Sequence, residues 1–357
     1  MVEPQVAAAA GPWVDADTIG FLLPDPERGL TAVRLEQELG LPGEALDFGY
    51  DEASGGWILT LPRPPVQRME YRLRLMHPDG GVETINDPAG HGYAPGAFGD
   101  KSVLEMPEYR APAWLRPNAP RWEVGAELAV QTAGGPIEVT VLSPDTPSRL
   151  LLIAHDGPEY DRLAGLGAFA AAMVADDRVP PFHLALAGPG PRNERYSANA
   201  GYSAALATRV IPALHAALRT AGPTVVMGAS LGGLAALHVQ RRHPRGVGGL
   251  FLQSGSFFVP QYDECESTFP FYRRITRYTA MVHAAARAPS PVPVVLTCGA
   301  GEENVHNNRL MAATLHRQGY PAALHEVPDL HNFTAWRDAF DPHLVDLLNT
   351  VWGERDA

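Results

Sequence analysis

Between residues 224 and 242 the chain runs Thr-Val-Val-Met, then Gly228-Ala229-Ser230-Leu231-Gly232-Gly233, then a helix-forming stretch from Leu234 to Arg242. A short apolar run, a glycine-flanked serine and a helix read as strand, sharp turn, helix. Such a turn holds its serine in a strained backbone conformation, and Gly228 and Gly232 let neighbouring segments approach where a Cβ would clash. The feature constrains the fold strongly. A buried strand that feeds straight into a helix is the building unit of a parallel sheet covered by helices.

The same alternation is repeated on both sides of this elbow. Strands are expected at Ile137 to Leu142, Leu150 to His155, Phe182 to Ala187, Gly249 to Gln253, Val292 to Gly299 and Ala323 to Val327. Helices are expected near Arg162 to Ala175, Ala204 to Leu218, Phe271 to Ala288 and Asn307 to Gln318, the last stopped by Gly319. The pattern implies a mostly parallel sheet with helices on both faces over 123–357.

A serine hydroxyl is a poor nucleophile unless a general base takes its proton. Glu302 and Glu303 lie in the turn after the strand that ends at Gly299, and His331 lies in the loop after the last strand. Serine, carboxylate and histidine therefore follow one another in the chain, each placed at the carboxyl end of a strand, where catalytic groups of open α/β sheets gather. Either glutamate can orient the imidazole. Two N–H groups are needed for a developing oxyanion. Leu231 supplies one. In the turn after Leu150 to His155 the other comes from Gly157, since Pro158 has no N–H, with Glu159 as the fallback.

The first 110 residues differ in character. Short runs at Thr18 to Leu23, Ala32 to Leu35, Gly56 to Leu61 and Glu70 to Met76 are separated by turn signals, and the last run alternates like a half-buried strand. Strands at this spacing predict a small β-sandwich over 1–110. The proline-rich stretch that follows, 111–122, reads as a semi-rigid linker.

The chain has 357 residues, room for two domains, and its net charge of −12 argues against nucleic acid or an anionic membrane as partner. Cys265 and Cys298 share no metal or redox spacing, and no His-Glu-x-x-His string occurs, so neither metal nor cofactor is expected. Met1 to Trp13 carries no positive charge and no apolar core of leader length, and no run approaches the ~20 apolar residues of a membrane span. A cytoplasmic monomer or homodimer acting on a small-molecule ester is the expectation.

Several segments resemble the family of enterochelin (ferric-siderophore) esterases, α/β-hydrolases of the putative esterase group. They are Leu152 to Tyr160, the elbow at 228–233, Leu252-Gln253-Ser254-Gly255-Ser256-Phe257-Phe258, Cys298 to Glu302, and His331-Asn332-Phe333-Thr334-Ala335-Trp336-Arg337. The resemblance implies an α/β-hydrolase fold preceded by an immunoglobulin-like sandwich. It makes Glu302, three residues past the strand-ending glycine, the triad acid with Ser230 and His331, and it makes a siderophore ester the substrate. Feruloyl and acetyl-xylan esterases and acyltransferases share the scaffold. The chain departs from the family's Arg-x-x-Glu-Leu string, having Arg192-Asn193-Glu194-Arg195-Tyr196 instead. Arg192, Arg195, Phe257, Tyr262 and Arg274 are expected to line the substrate site, arginines and aromatics together suiting an anionic aromatic acyl group. A reading of another class makes the sandwich a carbohydrate-binding module, with Trp13 and Trp57 stacking on sugars and the hydrolase domain inactive.

Overall fold

The computed structural model describes residues 11–353. The expectation drawn from the start of the chain rests largely on residues 1–10, which lie outside the described residues. The chain divides into two compact units. The first holds the chain up to Arg110 with Ala300–Glu302 and Pro328–Leu330; the second holds Ala111–Gly299, Glu303–Val327 and the chain from His331.

The first unit is antiparallel β-structure. Its strands are β1 (Trp13–Val14), β2 (Thr18–Pro24), β3 (Ala32–Glu36), β4 (Gly49–Asp51), β5 (Gly56–Pro62), β6 (Arg68–Met76), β7 (Val82–Ile85), β8 (Tyr93–Ala94) and β9 (Lys101–Glu105). One sheet runs β1-β2-β5-β4, the other β3-β6-β9-β8 with β7 beside β6. Phe21 from β2 meets Tyr71 from β6 edge to face at 4.9 Å, so side chains of both sheets share one core. Tyr71 is buried and finds its hydrogen-bond partner in Asp87 Oδ2 at 2.7 Å. Leu330 is part of this core, and Gln67 N–H donates to Pro328 O at 2.7 Å, which ties the 328–330 turn to the unit. Trp57 is a core side chain whose Nε1–H donates to Asp25 Oδ2, and the Trp13 ring covers Gly20. Trp57 is thereby enclosed, while Trp13 is half-buried.

The second unit carries an eight-stranded sheet. Its strands are β10 (Val124–Val130), β11 (Ile137–Leu142), β12 (Leu151–His155), β13 (His183–Ala187), β14 (Val225–Ala229), β15 (Gly249–Gln253), β16 (Val294–Gly299) and β17 (Ala322–Val327). Their order is β10-β11-β13-β12-β14-β15-β16-β17. The pairs from β13 through β17 are parallel, while β10 and β11 form an antiparallel margin. The helices are α1 (Gly157–Ala164), α2 (Leu166–Ala175), α3 (Arg192–Tyr196), α4 (Ala200–Ala205), α5 (Ile211–Leu218), α6 (Leu231–Arg242), α7 (Tyr272–Ala284), α8 (Val305–Arg317), α9 (Phe333–Asp338) and α10 (Val345–Trp352). Side chains alternate across the sheet. Leu151, Ile153 and Val226 enter one apolar cluster with α5, α6 and α8, while Leu152, Ala154, Val225 and Met227 enter another with α2 and α10. Both faces are covered, as the near-continuous apolar strands require. This is the α/β-hydrolase arrangement.

Three local expectations change. The helix foreseen at 162–175 is two helices, because Gly165 adopts a left-handed conformation (φ 62°) and caps α1 before α2 begins. The helix foreseen at 204–218 starts earlier, at Ala200, where the Asn199 side chain accepts from Tyr202 N–H at 3.0 Å. It then widens into a π-type turn over Leu206–Val210, just ahead of Pro212, which has no N–H to offer a regular helix. The third change concerns 111–122, expected as a linker. Trp114 is buried in the second unit, with its ring against Phe169 and Phe340. Trp114→Ala should therefore lower unfolding free energy by about 3–5 kcal/mol, as read by urea denaturation. A change below about 1 kcal/mol would show a free linker instead.

Candidate active site

Ser230 occupies the turn between β14 and α6 with φ 54° and ψ −122°, a conformation that a side-chain-bearing residue adopts at a cost. The turn closes only because of its glycines. A Cβ on Gly228 would fall 2.5 Å from the carbonyl carbon of Gly232. Leu231 opens α6, so its N–H belongs to the first helical turn, where amide hydrogens have no intrahelical acceptor and the helix dipole favours negative charge.

The loop after β15 brackets this turn. Ser230 N–H donates to Gln253 O at 2.9 Å, and Ser256 N–H donates to Ser230 O at 3.1 Å. Ser230 Oγ lies 3.1 Å from Ser256 Oγ. The Gln253 side chain reaches further: its Oε1 accepts from Tyr160 of α1 at 2.9 Å, and its Nε2 donates to Trp336 O at 3.0 Å.

His331 precedes Asn332, which caps α9 by accepting from Ala335 N–H at 2.8 Å. The His331 ring stands edge to face on Trp336 at 5.1 Å, and Trp336 Nε1–H donates to Ser254 Oγ at 3.0 Å. Asn304 Nδ2 approaches Ser254 O at 3.4 Å and His331 Nδ1 at 3.5 Å. Ser230 thus bonds Gln253 and Ser256, and Trp336 and Asn304, which flank His331, reach Ser254 of the same segment. The two adjacent glutamates differ in setting. Glu302 is 4% exposed, whereas Glu303 is exposed, with Cys265 Sγ 3.8 Å from its Oε2. Gly157 is the first residue of α1, not a turn residue; it follows Asp156 at φ 51°, and a Cβ there would strike the Leu186 backbone.

Of the residues expected to grip substrate, four make contacts within the protein and Tyr262 stays open. Arg192 forms a fork on the buried Asp156, with Nε at 2.9 Å from Oδ1 and Nη2 at 2.8 Å from Oδ2. Arg195 is buried, and its guanidinium donates to the carbonyls of Gly134 at 3.1 Å and Pro136 at 2.8 Å. Arg274 donates to Ser197 O and Glu194, and its guanidinium lies 4.4 Å over Phe271. Phe257 is fully buried in the core. Tyr262 remains open, 44% exposed, with His306 beside it. Arg195 and Phe257 are buried, and the contacts they make lie within the protein. Their side chains were read from type alone, and type does not reveal which carbonyls or rings already occupy them.

The sequence reading passed over Gln253, Ser254, Ser256, Asn304 and Asn308 as site residues. A Gln-Ser-Gly-Ser string directly after a buried strand was the available signal.

A second serine–histidine hydrogen bond joins Ser203 Oγ to His238 Nδ1 at 2.6 Å. Both residues are interior, 1% and 4% exposed, and sit on α4 and α6, away from the strand ends. Burial first, then the positive neighbours Arg242, His243 and Arg274, pulls His238 down to about 4. Without access for substrate, this pair is packing chemistry.

The mostly parallel α/β sheet, with a serine at the strained turn before α6, is the frame of a hydrolase of carboxylic esters, and the family match gives that class. The sequence model described as "Putative esterase" matches residues 131–347, and the chain belongs to that family. No curated protein matches the sequence. Solved structures agree in fold. The enterobactin esterase FES from Shigella flexneri, determined with 2,3-di-hydroxy-N-benzoyl-glycine, is 19% identical, with a TM-score of 0.74 covering 97% of this chain and 98% of its own. Ferric enterobactin esterase from Salmonella typhimurium is 19% identical, with a TM-score of 0.74 over 95% and 96%. A ferulic acid esterase is 16% identical, with a TM-score of 0.53 over 64% of this chain and 98% of its own. Among the described residues no helix is long and apolar enough to cross a membrane.

His155 also lies at about 4, lowered mainly by burial, so it and His238 stay neutral in the fold below the ordinary value of 6.5. The unfolded chain takes up their protons first as pH falls. Stability is therefore fully present above 6.5 and is lost by roughly 1.4 kcal/mol per unit and histidine down to about 4. Urea midpoints measured across that range should decline, less steeply in His238→Gln. An unchanged slope in the variant would contradict the assignment.

Proposed function

We propose that this chain hydrolyses its ester by acyl transfer through Ser230. His331 takes the Ser230 proton and returns it to the leaving alcohol. Glu302 holds the imidazole tautomer, its burial favouring it over the exposed Glu303 because a buried carboxylate needs a partner. The N–H groups of Leu231 and Gly157 receive the oxyanion, and water then releases the acyl group. The observation that carries this reading is the strained Ser230 turn set directly on the N-terminus of α6.

For substrate, a siderophore ester of the enterochelin type is supported by likeness to enterobactin esterases over almost the whole chain. A neutral aryl ester, feruloyl-like, is favoured by one observation: Arg192, Arg195 and Arg274 each already hold a carboxylate or carbonyl of the protein, which weakens their claim on an anionic substrate. Hydrolysis of a catecholate trilactone and of methyl ferulate, wild type beside Ser230→Ala, decides. Turnover of either ester is expected to fall by about 10³-fold or more in Ser230→Ala. The ester with the higher kcat/KM names the class, and full activity in the variant would sink the serine mechanism.

A further inference from the structure

We propose that Ser256 is a second hydroxyl of the reaction centre, donating to Ser230 Oγ and stabilising the charge that gathers there as the proton leaves. The inference rests on the reading of Ser230 as nucleophile. Ser256 Oγ is 3.1 Å from Ser230 Oγ, and the Ser256 side chain is 3% exposed. A buried hydroxyl requires a partner, and the partner here is the proposed attacking atom.

The placement of Ser256 is over-determined. Its own N–H is bonded to Ser230 O. The preceding Gly255 is held at both polar groups by one carboxamide, with Gly255 N–H donating to Asn308 Oδ1 at 3.0 Å and Asn308 Nδ2 donating to Gly255 O at 2.9 Å. Asn308 is itself fully buried at the start of α8. Ser254 is forced to φ 46° and is held through its N–H by Thr297 O at 2.7 Å and through its Oγ by Trp336. The Phe257 ring occupies the space a Cβ on Gly255 would need. A non-glycine residue at positive φ persists only where surrounding contacts impose it; here they fix one hydroxyl beside another.

The direction of the hydrogen bond follows from the chemistry. In the acylation step Ser230 Oγ bonds to the ester carbonyl carbon, its proton passes to His331, and the carbonyl π pair moves onto oxygen. Ser230 spends its only O–H on the histidine, so between the two hydroxyls Ser256 is the donor, and it keeps its own proton throughout. A donor aimed beforehand at the atom that gains charge requires no reorganisation during the step. Once Oγ has become an ester oxygen it accepts more weakly, so the interaction favours the nucleophile over the acyl-enzyme.

Fluorophosphonate labelling isolates this step, measured with thermal midpoints for wild type, Ser256→Ala, Ser256→Thr and Ser230→Ala. Ser256→Ala is expected to label about tenfold more slowly, at the low end for a hydrogen bond to a charged group, while Ser256→Thr stays within about threefold of wild type. The pH midpoint of labelling should not move in Ser256→Ala, while its thermal midpoint falls only by what one buried hydrogen bond contributes. A wild-type rate in Ser256→Ala overturns the inference. So does a slowing that a folded Ser256→Thr shares, or one with a displaced pH midpoint, which would put the effect at the histidine. If Ser256→Thr fails to fold, the rate and pH midpoint of Ser256→Ala decide alone. Labelling that survives in Ser230→Ala overturns the nucleophile reading itself, a distinct result.

Discussion

Four residues, Gln253 to Ser256, hold the polar parts of the candidate site in register. Gln253 ends β15, an interior strand of the sheet, and the other three follow it, so their backbone starts from a rigid origin. Each then takes a different obligation. Gln253 O receives the Ser230 N–H and its carboxamide links α1 to α9; Ser254 receives the Trp336 indole; Gly255 is clasped by Asn308; Ser256 meets the Ser230 hydroxyl. All four are buried, and every one of these groups would carry a desolvation cost if it lost its partner. Because the network is fully interior, its members set one geometry and resist alternatives.

The asparagines of α8 extend that logic. Asn304, Asn307 and Asn308 share one buried cluster, with Asn307 Nδ2 donating to Asp263 Oδ1 at 2.9 Å and to Asn304 Oδ1 at 3.2 Å. Burial raises Asp263 above the usual carboxylate range, while the N–H of Val259 and the Asn307 amide favour its charged form. A hydrogen-bonded chain thus runs from the loop after β15, through the N-terminal turn of α8, to the segment before α7. Carboxamides suit this position because they both donate and accept without adding charge.

The architecture was legible because its signals are redundant. Apolar strand runs, glycine stops and the elbow each point to the same alternating sheet, and the observed β11, β15 and β17 fall on or within a residue of the expected spans. The strained turn at Ser230 was legible for the same reason, being encoded by local glycines. What was not legible depends on partners far along the chain. Arg195 is paired with carbonyls 61 and 59 residues away, and Asn308 with a glycine 53 residues away. Nothing in Arg-Asn-Glu-Arg-Tyr says whether a guanidinium faces a ligand or a backbone. β10 was also missed, since its alternation is diluted by alanine and glycine and neither face is fully buried.

A hydrogen-bond distance alone would select Ser203 over the proposed nucleophile Ser230. Ser203 and His238 are 2.6 Å apart, shorter than any contact of Ser230 described above. What separates the two is the work the surroundings do. Ser203 lies in regular helix, in a pocket that keeps its histidine neutral and closed to substrate. Ser230 lies where the backbone is strained, where a helix presents unpaired N–H groups, and where a loop holds a further hydroxyl against it. Stored strain needs compensating contacts: Gln253 and Ser256 bond Ser230 directly, and α8 and α9 hold Gly255 and Ser254 between them. The Ser203–His238 bond is closed inside the fold, whereas on the proposed reading the strained Ser230, with a hydroxyl beside it, is set to favour the charged state of the reaction over the resting one.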